Sequence, residues 1–138
     1  MKRNLIGTLS LVALSLLLTA PGAAAQSAVQ ANVPFAFRVG RAQLPPGNYR
    51  IKAENQSRIV IGNRQTMKSV YSQAQWEGPS HSTAKLVFHH LGNQYFLAEV
   101  SGDAGGQRMT IPASKLEREL QIAQGSSNVQ ENVEIALH

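Results

Sequence analysis

From residue 29 to residue 39 the chain alternates without a break. Val29, Ala31, Val33, Phe35, Phe37 and Val39 fall on one side, and Gln30, Asn32, Pro34, Ala36 and Arg38 on the other. Successive strand side chains point to opposite faces, so this rhythm predicts a strand with one dry face and one wet face. Leu44-Pro45-Pro46-Gly47-Asn48-Tyr49 follows. Proline presets φ and glycine supplies a positive φ, which predicts a type II turn at Pro46-Gly47 with Leu44 and Tyr49 on opposite arms.

The same period returns in residues 49–53, in 58–62 as a more fully buried run, and in 66–72, with polar turns at Asn55-Gln56-Ser57 and Asn63-Arg64-Gln65. Strands at near-regular spacing predict an antiparallel meander. Residues 73–83 carry Trp76 and Gly78-Pro79 without periodicity and read as a loop. Residues 85–90 and 94–100 read as strands of a hairpin closed at Leu91-Gly92-Asn93. After a glycine-rich loop at 101–106, residues 108–111 supply one more strand, ended by Pro112.

The period then changes. Ser114 with Glu117 three residues on is a capping box, in which the hydroxyl accepts a first-turn amide and the carboxylate reaches back to the cap. Leu116, Leu120 and Ala123 share one helical face and Gly125 is a stop. A helix of about ten residues is marginal alone and must lie on the sheet. After a hinge at 126–128, Val129, Glu131, Val133, Ile135 and Leu137 alternate with Gln130, Asn132 and Glu134. This tail is an edge strand, a docking segment or a frayed end. The expected fold is all-β: an antiparallel sandwich or partly open barrel of about seven strands with one short C-terminal helix.

The destination is read from the beginning of the chain. Lys2 and Arg3, an apolar block over 5–18, Pro21-Gly22 and Ala23-Ala24-Ala25 make residues 1–25 a secretory signal peptide cut before Gln26. The block is shorter than the roughly 20 residues of a spanning helix, so no membrane span is expected after cleavage. The sequence has no cysteine. That excludes lipid attachment at an N-terminal cysteine, and disulfides as well. Residues 26–138 form one β-rich domain, periplasmic or secreted, held by a single core.

The phenylalanines at 35 and 37 followed by Leu-Pro-Pro-Gly-Asn-Tyr-Arg-Ile resemble the turn of bacterial extracellular β-sandwich modules of the carboxypeptidase-regulatory-like kind, over about residues 35–51. Most of the mature chain resembles an uncharacterised group of small exported acidobacterial proteins. The resemblance is carried by Val-Pro-Phe-Ala-Phe at 33–37, the turn at 44–49, Lys-Leu-Val-Phe-His at 85–89 and Ser-Lys-Leu-Glu-Arg-Glu-Leu at 114–120. It implies export, and brings no activity with it.

Charge is unevenly placed. The mature chain has eleven Lys and Arg against eight Asp and Glu, a net +3. Residues 26–75 hold seven basic side chains (Arg38, Arg41, Arg50, Lys52, Arg58, Arg64, Lys68) against Glu54 alone, while residues 76–138 hold four against seven acids. A basic half suits an anionic envelope surface or polymer; the alternative is solvated strand faces that partly satisfy the acidic half. Dispersed charge on an exported chain argues against nucleic acid.

Catalytic chemistry is not legible. His89 and His90 are strand neighbours facing opposite ways and His81 sits in a loop, so a shared metal is not expected. Asp103 is the sole aspartate, no Gly-x-Ser-x-Gly elbow is present, and the glycine loop lacks a phosphate-loop ending. No enzyme activity and no cofactor are expected. The candidate ligand-binding residues are Trp76, Tyr71 and Tyr95, as an aromatic platform for a sugar or peptide or as cover over the open end of the fold. Asn55-Gln56-Ser57 matches a glycosylation acceptor, which a bacterial-type signal makes accidental. Two functions are consistent with these features: a non-enzymatic binding or envelope-interaction module, and a lipocalin-like carrier of a small apolar ligand.

Overall fold

The computed structural model describes residues 28–102, 107–125 and 131–138. The expected signal peptide over 1–25, Asp103, the expected hinge at 126–128 and Val129 lie outside the described residues. In chain order the elements are β1 (Ala28–Val33), β2 (Phe37–Val39), β3 (Ala42–Leu44), β4 (Gly47–Asn55), β5 (Arg58–Asn63), β6 (Ser69–Gln73), β7 (Gln75–Pro79), β8 (Lys85–Leu91), β9 (Gln94–Ser101), β10 (Gln107–Thr110), α1 (Lys115–Gln124) and β11 (Glu131–Ala136). The first sheet has the order β1-β4-β5-β6 and the second β11-β8-β9-β10-β7, with β2 joining β9 and β3 joining β2. The two sheets face each other as a sandwich and do not close into a barrel, so of the two all-β architectures the sandwich is the one adopted.

The apolar rhythm places the core. Ala31, Val33, Tyr49, Ile51, Ile59 and Ile61 from the first sheet meet Phe37, Val39, Leu86, Phe88, Leu97 and Met109 from the second, all buried. Aromatic rings form its centre: Phe88 receives Phe35 edge-on at 5.1 Å and Phe37 at 5.3 Å, and Phe37 meets Tyr49 at 5.0 Å. Such T-shaped pairs set the positive ring edge against the negative ring face, adding to the area they bury.

Four local expectations are corrected. The opening stretch is two strands: β1 ends at Val33 and β2 starts at Phe37, and the bend between them moves the chain from the first sheet to the second. Alternation survives the bend because both sheets face one core. The Pro46-Gly47 step is not a type II hairpin turn, since Leu44 pairs with Phe37 in the second sheet while Gly47 pairs with Val33 in the first. Its φ of +158° is far from the roughly +80° of that turn. The true hairpin turn is Gly40-Arg41 between β2 and β3, where Gly40 has φ +59°. Thr66 and Met67 belong to a turn, not a strand. Buried Asn63 shapes that turn: its Oδ1 accepts the amides of Gln65 (2.8 Å) and Thr66 (3.0 Å), and Met67 is left 85% exposed with φ +58°. Finally, residues 73–83 contain β7, which pairs with β10 through Met109 and Trp76.

The helix obeys half of its expected cap. Ser114 Oγ accepts the Glu117 amide at 3.2 Å, and the Gly125 amide bonds to the Ile122 carbonyl. The Glu117 carboxylate does not return to the cap; it pairs with His89 Nδ1 at 2.7 Å, buried beneath the helix. Ala123 is exposed, and the inward face instead runs through Leu116, Glu117 and Leu120. His89 is the cross-strand partner of Phe96, so α1 covers that outer face of the second sheet, where Leu91 and Phe96 are buried away from the main core. The tail is an ordered edge strand: β11 pairs with β8, and Lys85–Glu134 (2.6 Å) and His90–Glu131 (3.2 Å) fasten it.

Tyr49, 1% exposed, gives a pH test of the core. Its hydroxyl donates to the Pro45 carbonyl, and burial pushes its pKa above the ordinary 10, with a hydrogen bond to Asn63 acting the other way. Below the unfolded pKa both states hold the proton. Above it the unfolded chain releases the proton first, so stability falls as pH rises until Tyr49 itself ionises in the fold. Unfolding free energies measured from about pH 9 to about pH 11.5 should therefore drop more steeply for the natural protein than for Tyr49→Phe. Equal slopes would contradict this account.

Candidate functional site: a basic sheet face and the cleft beside it

Because Tyr49, Ile51, Ile59 and Ile61 point into the core, their strand neighbours Arg50, Lys52, Arg58, Val60 and Gly62 point out. The register aligns them in rows: Gln30, Arg50, Gly62 and Ser69 across the four strands, then Ala28, Lys52, Val60 and Tyr71. Arg64 reaches over from the β5–β6 turn and donates to Gln30 Oε1 at 2.7 Å, adding its charge to the same face. Glu54 is the opposing carboxylate, 3.4 Å from Arg58 with both side chains about half exposed. An exposed pair of this kind holds little energy and leaves the surrounding field positive.

A cleft opens along the β6 edge of this sheet. Its volume is about 730 Å³, and Val70, Tyr71, Ser72 and Gln73 line it together with Arg41 and Arg118. It is continuous, through Gly40, Arg41, Ala113 and Arg118, with a second hollow of about 570 Å³ at the first turn of α1, where Arg38 and Lys115 stand. Arg118 donates to the Ala113 carbonyl at 2.6 Å and Arg38 to Gln94 at 2.7 Å, so both guanidinium groups are held in place. Arg41 is exposed at the tip of its turn.

The three aromatic candidates do not share one surface. Tyr71 stands on edge strand β6 of the first sheet, 63% exposed, and lines the cleft. Trp76, 48% exposed, stands on edge strand β7 of the second. Tyr95 is stacked between Phe35 (3.9 Å) and His90 (4.2 Å), so both of its ring faces are occupied. No ring contact joins any two of the three among the described residues. A small, partly open pocket of about 30 Å³ lies among Val29, Ile59, Val100 and Met109, close to the space of a single water.

The histidines are parted as their strand positions require: His89 turns to the helix, His90 to Tyr95 and Glu131, and His81 stays exposed in a loop. Among the described residues no three His, Cys, Asp or Glu converge, and no helix is long and apolar enough to cross a membrane. Arg41 and Arg118, 77 positions apart in the chain, are the site residues that sequence reasoning missed; only the count of basic residues hinted at them. No family model, curated protein or solved structure matches the chain.

Proposed function

We propose that the chain is an exported, non-enzymatic binding module that engages an anionic envelope component through the outer face of its first sheet. The observation that carries this reading is the display of Arg50, Lys52 and Arg58 on paired strands, joined by Arg64 from the β5–β6 turn, with Glu54 as the opposing charge. A fixed array of like charges attracts a polyanion without the entropy cost of ordering flexible arms. The signal-like start of the chain supports export into the compartment where such polymers lie.

The carrier reading has less support: the apolar pocket beside the core, of about 30 Å³, is far below the 300–1,000 Å³ usual for a small-molecule pocket, and the larger hollows are open and bordered by arginines. Heparin serves as a defined anionic polysaccharide for the test. Near an anionic surface each basic side chain contributes about 1 kcal/mol, so Arg50→Glu with Lys52→Glu should weaken retention at least about ten-fold. Retention should also fall with salt. Unchanged binding by the double variant, at full folded signal, would remove the sheet face from consideration.

A further inference from the structure

Sheet edges invite other strands unless they are blunted, and most edges of this protein are. The β1 edge is occupied by the chain itself: Gln30 and His138 exchange backbone hydrogen bonds at 3.2 and 2.9 Å. β7 carries Glu77 and Pro79, β11 carries Glu131 and Glu134, and β3 is three residues long. β6 is the exception. Its five residues, Ser-Val-Tyr-Ser-Gln, include no charge and no proline, and its pairing with β5 shows no bulge.

The register fixes which backbone groups of β6 are free. Asn63 donates to the Lys68 carbonyl at 2.8 Å and Ala74 to the Ser57 carbonyl at 3.0 Å, bracketing the ladder. Antiparallel pairing alternates, so Val70 and Ser72 bond to β5 while Ser69, Tyr71 and Gln73 turn their amides and carbonyls to the open side. The Gln73 carbonyl accepts from Ser72 Oγ at 3.0 Å, which leaves three donors and two acceptors along the edge. Tyr71 and Gln73 line the cleft of about 730 Å³, which is large enough for an extended segment beside β6, and Ser69 continues the same open edge beyond it. Val70 and Pro112 give it apolar contacts, and the only charged residues lining it are Arg41 and Arg118.

We propose that β6 and this cleft form a peptide-binding site that adds an extended, acidic segment of a partner protein as a fifth strand of the first sheet. Main-chain hydrogen bonds to Ser69, Tyr71 and Gln73 hold the segment, and its carboxylates meet Arg41 and Arg118; affinity comes from the ladder and selectivity from the charges. The site is independent of the sheet-face reading, because it uses the backbone edge and not Arg50 or Lys52.

The probe is a blocked synthetic heptapeptide alternating valine and glutamate, titrated into the isotopically labelled full chain and followed by amide NMR. Shifts and slowed hydrogen exchange are expected at Ser69, Tyr71 and Gln73. A peptide N-methylated at alternate amides should lose binding, and one alternating valine and lysine should bind at least about ten-fold more weakly. Tyr71→Pro removes an outward amide without touching the β5 ladder and should abolish binding; Arg41→Glu should weaken it about ten-fold. Arg50→Glu with Lys52→Glu should leave peptide affinity within about two-fold, which separates this site from the polyanion face. The proposal is overturned if the glutamate peptide leaves the three amides unshifted at about millimolar concentration, if the N-methylated or lysine peptide binds equally well, or if heparin produces the same β6 shifts. Should Tyr71→Pro fail to fold, the N-methylated peptide on the unchanged protein decides the matter.

Discussion

Replacing Phe88 with alanine is expected to lower the unfolding free energy by about 3–5 kcal/mol, the usual cost of removing a fully buried aromatic ring. Phe88 is 0% exposed, and it receives the edges or faces of both Phe35 and Phe37. Its loss therefore strips contacts from the bend that carries the chain between the sheets. A single domain of this size commonly has 5–15 kcal/mol in total, so the variant should be partly unfolded at moderate denaturant. Denaturant midpoints followed by circular dichroism measure this. A shift corresponding to less than about 1 kcal/mol would mean that the aromatic cluster is not the centre of the core.

The second large effect is expected at the pair beneath the helix. Glu117 is 4% exposed and His89 Nδ1 lies 2.7 Å from its carboxylate. Removing one member of a buried pair costs about 3–5 kcal/mol because the other is left desolvated and unpartnered. His89 keeps 26% of its side chain in solvent, so His89→Ala should fall nearer about 2–3 kcal/mol. The loss should be local first. A ten-residue helix has little stability of its own, so the α1 amides should exchange faster while the strands of the first sheet stay protected. Changing both residues to leucine should restore most of the stability, since a matched apolar pair needs no desolvated charge. If α1 exchange is unchanged in His89→Ala, the pair does not seat the helix.

These expectations bear on the proposed binding surfaces in different ways. The sheet face depends on the first sheet alone, and His89→Ala should leave it intact. The cleft depends on α1 for Arg118 and on the β2–β3 turn for Arg41, so loosening the helix should weaken peptide binding before it weakens heparin binding. Measuring both ligands on His89→Ala would show the difference directly.

Much of the fold is legible in the order of residues. The two-residue period gives β4, β5, β8 and β9, because burying one face of a pleated strand requires alternation and little else, while the same period in the tail left strand and frayed end open until β11 paired with β8. Ser114 and Gly125 mark the ends of α1 because capping is chemistry of adjacent backbone groups. The basic face was half legible: seven cations before residue 76 pointed to it, and alternation put Arg50 and Lys52 on the wet side.

What local pattern left open was settled by pairing between distant segments. The rhythm of residues 29–39 is identical whether the strand stays in one sheet or crosses to the other, since both sheets point their apolar residues at the same core; the crossing at 34–36 depends on which partners β1 and β2 find. Glu117 has the same sequence signature whether its carboxylate returns to the cap or reaches a histidine 28 positions earlier, and a buried partner wins only once α1 lies on β8. β7 has no periodicity because it is an edge strand with little to bury, and β10 defines it. Alternation and capping are properties of neighbouring residues and so were fixed by the chain itself, whereas sheet membership, the open β6 edge and the meeting of Arg41 with Arg118 arise from contacts that exist only after the sheets have closed on their shared core.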